Sequence, residues 1–182
     1  MDPLFFTTDS KLVGLTIFLS VVLFQLAFMS VQWYLERRKD YLYYLSYLVS
    51  IIVYAVSELE HHLPFKVFTL ITPDFHQYFY HLIPFMAIFL YYRFSRAFLN
   101  LPERRPRLNQ WVVKLEYFIG GYALLSPILL LAGVDPFIEM QLFVASSLIV
   151  IPASTVIILS FLKKSHLLTR FALFGAGSLL VG

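Results

Sequence analysis

Residues 36–40 read Glu36-Arg37-Arg38-Lys39-Asp40, five consecutive charges set between two apolar stretches, one from about Leu12 to Leu35 and the other from about Tyr41 to Ser57. A helix needs roughly 20 apolar residues to cross a bilayer, and these stretches approach or exceed that length. The charged block is therefore a turn between two spans. Its sign gives the orientation, because loops on the cytoplasmic side carry the Lys/Arg excess. Twelve of the 14 Lys and Arg fall in three short clusters, Arg37 to Lys39, Arg93 to Lys114 and Lys163 to Arg170. The segments between them hold only Lys66 as a cation, and only Lys11 precedes the first span. All three clusters are thus expected inside and the N-terminus outside.

Composition leads to the same class. With 59% hydrophobic and 14% charged residues, and a mean hydropathy of +0.75, the chain lacks the polar surface that a soluble globule of 182 residues requires. Many of its aromatic residues, 18% of the total, sit near expected helix ends, where amphipathic rings lie at headgroup depth. The net charge of +3 restates the positive-inside asymmetry, so no nucleic-acid partner is read from it. The absence of cysteine excludes disulfides, thiolate metal ligands and Cys nucleophiles. Met1-Asp2-Pro3 lacks the basic start of a cleavable signal peptide, so either the first span directs insertion or the natural N-terminus lies upstream.

Further spans follow at about Tyr78 to Leu99, Trp111 to Val134 and Phe137 to Leu162. Pro84, Pro127 and Pro152 lie within these three and are expected to kink them, or in the case of Pro84 to mark a locally unsatisfied turn. Gly120-Gly121 points to close helix approach, and Ser154 and Thr155 offer hydroxyls to carbonyls freed by Pro152. The stretch Asn100 to Gln110 reads as an inner loop, and Asp135-Pro136 as a short outer turn. A sixth apolar segment begins near Phe171 and stops at Gly182. About a dozen residues at 1.5 Å each cannot cross roughly 30 Å of hydrocarbon. The expected fold is an all-α polytopic transmembrane bundle with five full spans and a truncated sixth, the chain being a fragment incomplete at its C-terminus.

Three stretches carry a resemblance: Arg38-Lys39-Asp40-Tyr41-Leu42-Tyr43-Tyr44 entering span two, Arg93-Phe94-Ser95-Arg96-Ala97-Phe98-Leu99-Asn100-Leu101 leaving span three, and Pro106-Arg107-Leu108 after it. Thr169-Arg170-Phe171, opening span six, adds a weaker match. The chain resembles the membrane domain of bacterial seven-transmembrane receptors with diverse intracellular signalling modules. That resemblance implies seven helices in the full-length protein, a cytoplasmic effector after them, and location in the bacterial inner membrane. The seventh helix, the effector and the N-terminal sensory domain of many members are not in these 182 residues.

The sharpest chemical candidates are Glu58, Glu60, His61, His62, His76 and His81, which gather four of the five histidines and two carboxylates on the outer side. Imidazole and carboxylate suit zinc, and histidine also titrates near physiological pH. The spacing forms no compact metal motif, so ligand contact, metal binding and a solvated interface loop all remain open. An enzyme reading, a membrane-embedded zinc hydrolase, would need three converging ligands and a nearby acid or base. Only His81 falls inside a span, and Lys114, Glu116 and Glu139 lie in first turns, close enough to an interface to be hydrated. A transporter would need broken helices, but no inverted repeat accompanies the prolines.

On the inner side, Arg93, Arg96, Arg105 and Arg107 read either as headgroup anchors or as a surface that couples helix motion to an effector. The sequence thus leads to a non-enzymatic sensor domain, with membrane lipids, an extracytoplasmic ligand and a cytoplasmic effector as partners. No cofactor is expected. A membrane anchor or scaffold without sensing is the alternative, the zinc hydrolase a further one.

Overall fold

A computed structural model describes residues 3–60, 68, 79 and 81–162. Its regular structure, among the described residues, is helical throughout: α1 (Pro3–Glu36), α2 (Lys39–Glu60), α3 (Leu82–Phe98), α4 (Leu101–Arg104), α5 (Pro106–Leu131) and α6 (Pro136–Leu162). Among the described residues, four helical segments are long and apolar enough to cross a membrane, Leu12–Glu36, Lys39–Glu60, Pro106–Leu131 and Pro136–Ile157. The expected third span corresponds to α3, which has 17 residues. The expected sixth lies outside the described residues. Two compact units, Met1–Tyr91 and Tyr92–Gly182, divide the chain within α3.

In the first unit the charged block 36–40 is the corner between α1 and α2. Arg37 adopts a left-handed conformation, φ 54°, and its N–H still reaches the Trp33 carbonyl at 2.8 Å. A non-glycine residue there costs roughly 1–2 kcal/mol. The guanidinium offsets part of that cost by lying over the Trp33 and Tyr34 rings, 5.1 and 4.9 Å from their centroids. Arg38 then grips Asp40 with two bonds, Nε to Oδ1 at 3.1 Å and Nη2 to Oδ2 at 2.6 Å. Asp40 lies in the first turn of α2, where the helix dipole also favours a carboxylate. Hydrogen bonding and charge from Asp40 hold the Arg38 guanidinium above its ordinary range, so it stays charged.

Above that corner, α2 turns Tyr47, Leu48, Ile51 and Ala55 inward, the three-and-four spacing of one helix face. Val22 of α1 and Ala87 of α3 complete this core. Tyr47 lies 5.7 Å from the Tyr44 ring and 5.3 Å from that of Tyr91, and Gln25 donates from its amide to the Tyr44 hydroxyl. Most of the apolar surface of α1 faces away from the protein, with Phe24 75% exposed. In water such a surface would aggregate; in a bilayer it is a lipid face.

The stretch read as an inner loop is largely helical. Asn100 takes a left-handed conformation, φ 48°, α4 makes a single turn, and α5 begins at Pro106 after an extended Arg105. Pro102 and Pro106 occupy first turns, where a missing N–H removes no helix bond and the fixed φ is already helical. Pro84 behaves likewise. It is the third residue of α3 and sits in its opening turn instead of kinking it midway. Pro127 and Pro152 are interior, as expected. The Thr155 hydroxyl, however, bonds the Ile151 carbonyl at 2.9 Å, whereas the carbonyl that Pro152 frees is that of Leu148, four residues back. At Gly121 an added Cβ would meet nothing within 4 Å, so this position marks no close helix approach among the described residues.

The α5–α6 turn is capped on both sides. Gly133 is left-handed, φ 79°, its N–H bonds the Leu130 carbonyl at 3.0 Å, and the Val134 N–H bonds that of Leu129 at 3.1 Å. This pair of crossed bonds is the Schellman arrangement. Asp135 then caps α6, its Oδ1 accepting the Phe137 N–H at 2.8 Å. Gly133→Ala is expected to lower stability by roughly 1–2 kcal/mol, because an L-residue is strained at this φ. Gly121→Ala, in open helical space, is expected to raise it by roughly 0.5–1 kcal/mol. Unfolding equilibria of the two variants in lipid check the opposite signs.

Candidate functional site

The second unit is organised by the buried face of α5. Val112, Leu115, Ile119, Ala123 and Leu130 recur at helical spacing along it, and Glu116, Tyr122 and Ser126 share that face. Each of the three polar side chains has a partner on another helix.

Glu116 is 3% exposed. Its Oε2 lies 3.0 Å from Arg96 Nη1 and 3.4 Å from Arg93 Nε, two guanidiniums of the last turns of α3. A carboxylate removed from water is costly unless paired, and here two cations serve one oxygen. The other, Oε1, is buried and makes no hydrogen bond among the described residues. The arginine side chains remain 36% and 24% exposed, so the cluster is closed on its Glu side and open on its Arg side.

Glu139, the fourth residue of α6, is 2% exposed. Its Oε1 accepts two hydrogen bonds, from the Tyr122 hydroxyl at 2.8 Å and the Ser126 hydroxyl at 2.6 Å. These donors are four residues apart on α5, and that spacing puts both on one face to form a fork for a single oxygen. The α5–α6 hairpin is thereby joined by a charge-assisted pair of bonds close to its turn.

Both glutamates differ from the sequence expectation of hydrated positions near an interface. Hydropathy reads each residue by itself, and the partner that makes burial tolerable comes from a helix distant in sequence. A partial signal existed in the Tyr122/Ser126 spacing and in the surplus of arginine at the end of span three.

The expected inner residues separate. Arg93 and Arg96 converge on Glu116. Arg105 is half-buried at the junction before α5, and Arg107 is exposed in the first turn of that helix. Of the outer candidates, Glu58 is half-buried at the end of α2, with Oε1 making no hydrogen bond among the described residues. Glu60 is buried and accepts the Phe68 N–H at 2.6 Å. His81 is half-buried in the turn before α3. His61, His62 and His76 lie outside the described residues, among which no three His, Cys, Asp or Glu side chains are grouped to hold a metal.

Long apolar helices, lipid-facing surfaces and polar contacts reserved for helix–helix junctions define a helical membrane domain. More particularly, the chain belongs to the family described as 7TM diverse intracellular signalling, which it matches over residues 11–182. The comparison with curated proteins finds no match, and neither does the comparison with solved structures.

Tyr122→Phe keeps the ring and removes one donor from a charged acceptor, with an expected loss of roughly 1.5–3 kcal/mol. Ser126→Ala should cost a similar amount. The pair should be non-additive, because both donors serve the same oxygen. A double-mutant cycle of unfolding in lipid measures that coupling.

Proposed function

We propose that this chain is the receptor part of a signalling protein of the bacterial inner membrane, with its N-terminus outside. It takes a signal on the extracytoplasmic side and relays it, by a change of helix packing, to a cytoplasmic effector carried elsewhere in the full-length protein. The family match over nearly the whole chain carries this reading. Charge supports the orientation, since the basic clusters fall at alternate helix ends. The relay requires no bond-making by the domain itself. A ligand shifts helix packing only through unequal affinity for two arrangements.

Glu58, Glu60, His61, His62, His76 and His81 are the input candidates, and Arg93, Arg96, Arg105 and Arg107 the output candidates. Replacing the six outer residues with alanine in the full-length protein should leave membrane insertion intact and abolish or fix the response of effector output to stimulus. Insertion and orientation are read by labelling cysteines placed in the loops, since residues 1–182 contain none. A scaffold without a sensing role would retain full output and response in that variant.

A further inference from the structure

Arg93 and Arg96 are three residues apart, so they share one face of α3 and are separated by about 4.5 Å along its axis. Glu116 faces both from α5. A contact built for one position would set both carboxylate oxygens against a single guanidinium fork. Here the two arginines meet at Oε2, at 3.0 and 3.4 Å, and the buried Oε1 makes no hydrogen bond among the described residues. The carboxylate is held between two stations, nearer to one.

From this geometry we propose that Glu116 is a sliding contact, and that α5 has two axial positions against the end of α3. In one, Glu116 is paired with Arg96; in the other, it is paired with Arg93. The hazardous event for a buried carboxylate is loss of every partner. Two cations one turn apart remove that event from the path, because the second takes hold before the first releases. Beside Glu116 on the buried face of α5, Val112, Leu115 and Ile119 are apolar, and the polar contacts further along it, from Tyr122 and Ser126, are made to Glu139 of α6 and not to α3. Lys114, the nearest cation in sequence on α5, lies instead over the Trp111 ring at 5.3 Å. One-turn displacements between discrete packings are an established form of helix switching.

The slide specifies the motion of the relay proposed above and takes its biological use from that reading, but its geometry is measurable without any stimulus. Arg96 lies toward the end of α3 that leads into the basic connection, and Arg93 lies a turn further from it. Spin labels on cysteines at the exposed positions Ala97 and Leu124, in full-length protein in lipid nanodiscs, report the axial separation of the two helices. Arg96→Gln leaves only Arg93 as a station and should lengthen the label distance by up to about 4.5 Å. Arg93→Gln leaves the nearer station and should hold or slightly shorten it. With Glu116→Gln as the background, the two arginine variants should no longer differ. Arg96→Lys, which keeps the charge without the fork, provides a milder variant and should give a mixture of both distances.

Equal distances for Arg93→Gln and Arg96→Gln, or shifts of the same sign, would mean a fixed lock and overturn the sliding contact. A longer distance in Arg96→Gln with an unchanged or shorter one in Arg93→Gln establishes it; if effector output is then the same in both variants, the slide stands and the relay reading fails.

Discussion

A carboxylate withdrawn from water within a membrane domain has to be met by a donor or cation from another helix, and the second unit is arranged around two such meetings. Lipid tails solvate an apolar helix face about as well as another helix does, so burial of leucine alone specifies little about which helices become neighbours. Glu116 selects α3 through Arg93 and Arg96. Glu139 selects α5 through Tyr122 and Ser126. The apolar residues between them fill the interface once those contacts have set the register.

The first unit uses a different solution. Its core is aromatic, with Tyr47 set against Tyr44 and Tyr91, and the charges are kept at the corner, where Arg38 and Asp40 neutralise one another. Arg38 is half exposed and Asp40 buried, so the attraction largely offsets the cost of taking that carboxylate out of water. The pair's value is positional, since the bidentate grip fixes how α2 leaves a turn of only two residues.

The features legible in the sequence are those governed by local chemistry. The charged block 36–40 marks the α1–α2 corner, and the apolar runs match, to within a few residues at most ends, the four described segments that are long and apolar enough to cross a membrane. The effect of a proline is less legible, because it depends on position in the helix: Pro127 and Pro152 are interior, whereas Pro84 sits in the opening turn of α3, where it is harmless. The candidate site was legible in part. Arg93 and Arg96 were singled out from their place at the end of span three, but Glu116 and Glu139 were not. Their burial depends on partners 13 to 23 residues away, and no window of hydropathy contains that pairing.

α5 is the helix common to both polar contacts. Glu116 and Tyr122 are six residues apart, about 9 Å along the axis, and the helix runs unbroken through both. A displacement of α6 acts on α5 through the Tyr122 and Ser126 hydroxyls that hold Glu139. That same helix carries Glu116, so the displacement reaches the Arg93 and Arg96 contact without any intermediate side chain. Hydroxyl donors at one junction and guanidiniums at the other also divide the work. Release from the hydroxyls would leave Glu139 buried without these donors, so that contact holds the α5–α6 hairpin together, whereas paired cations keep Glu116 compensated while it moves. On the proposed slide, α5 and α6 therefore move as one hairpin, held together at Glu139 and sliding at Glu116.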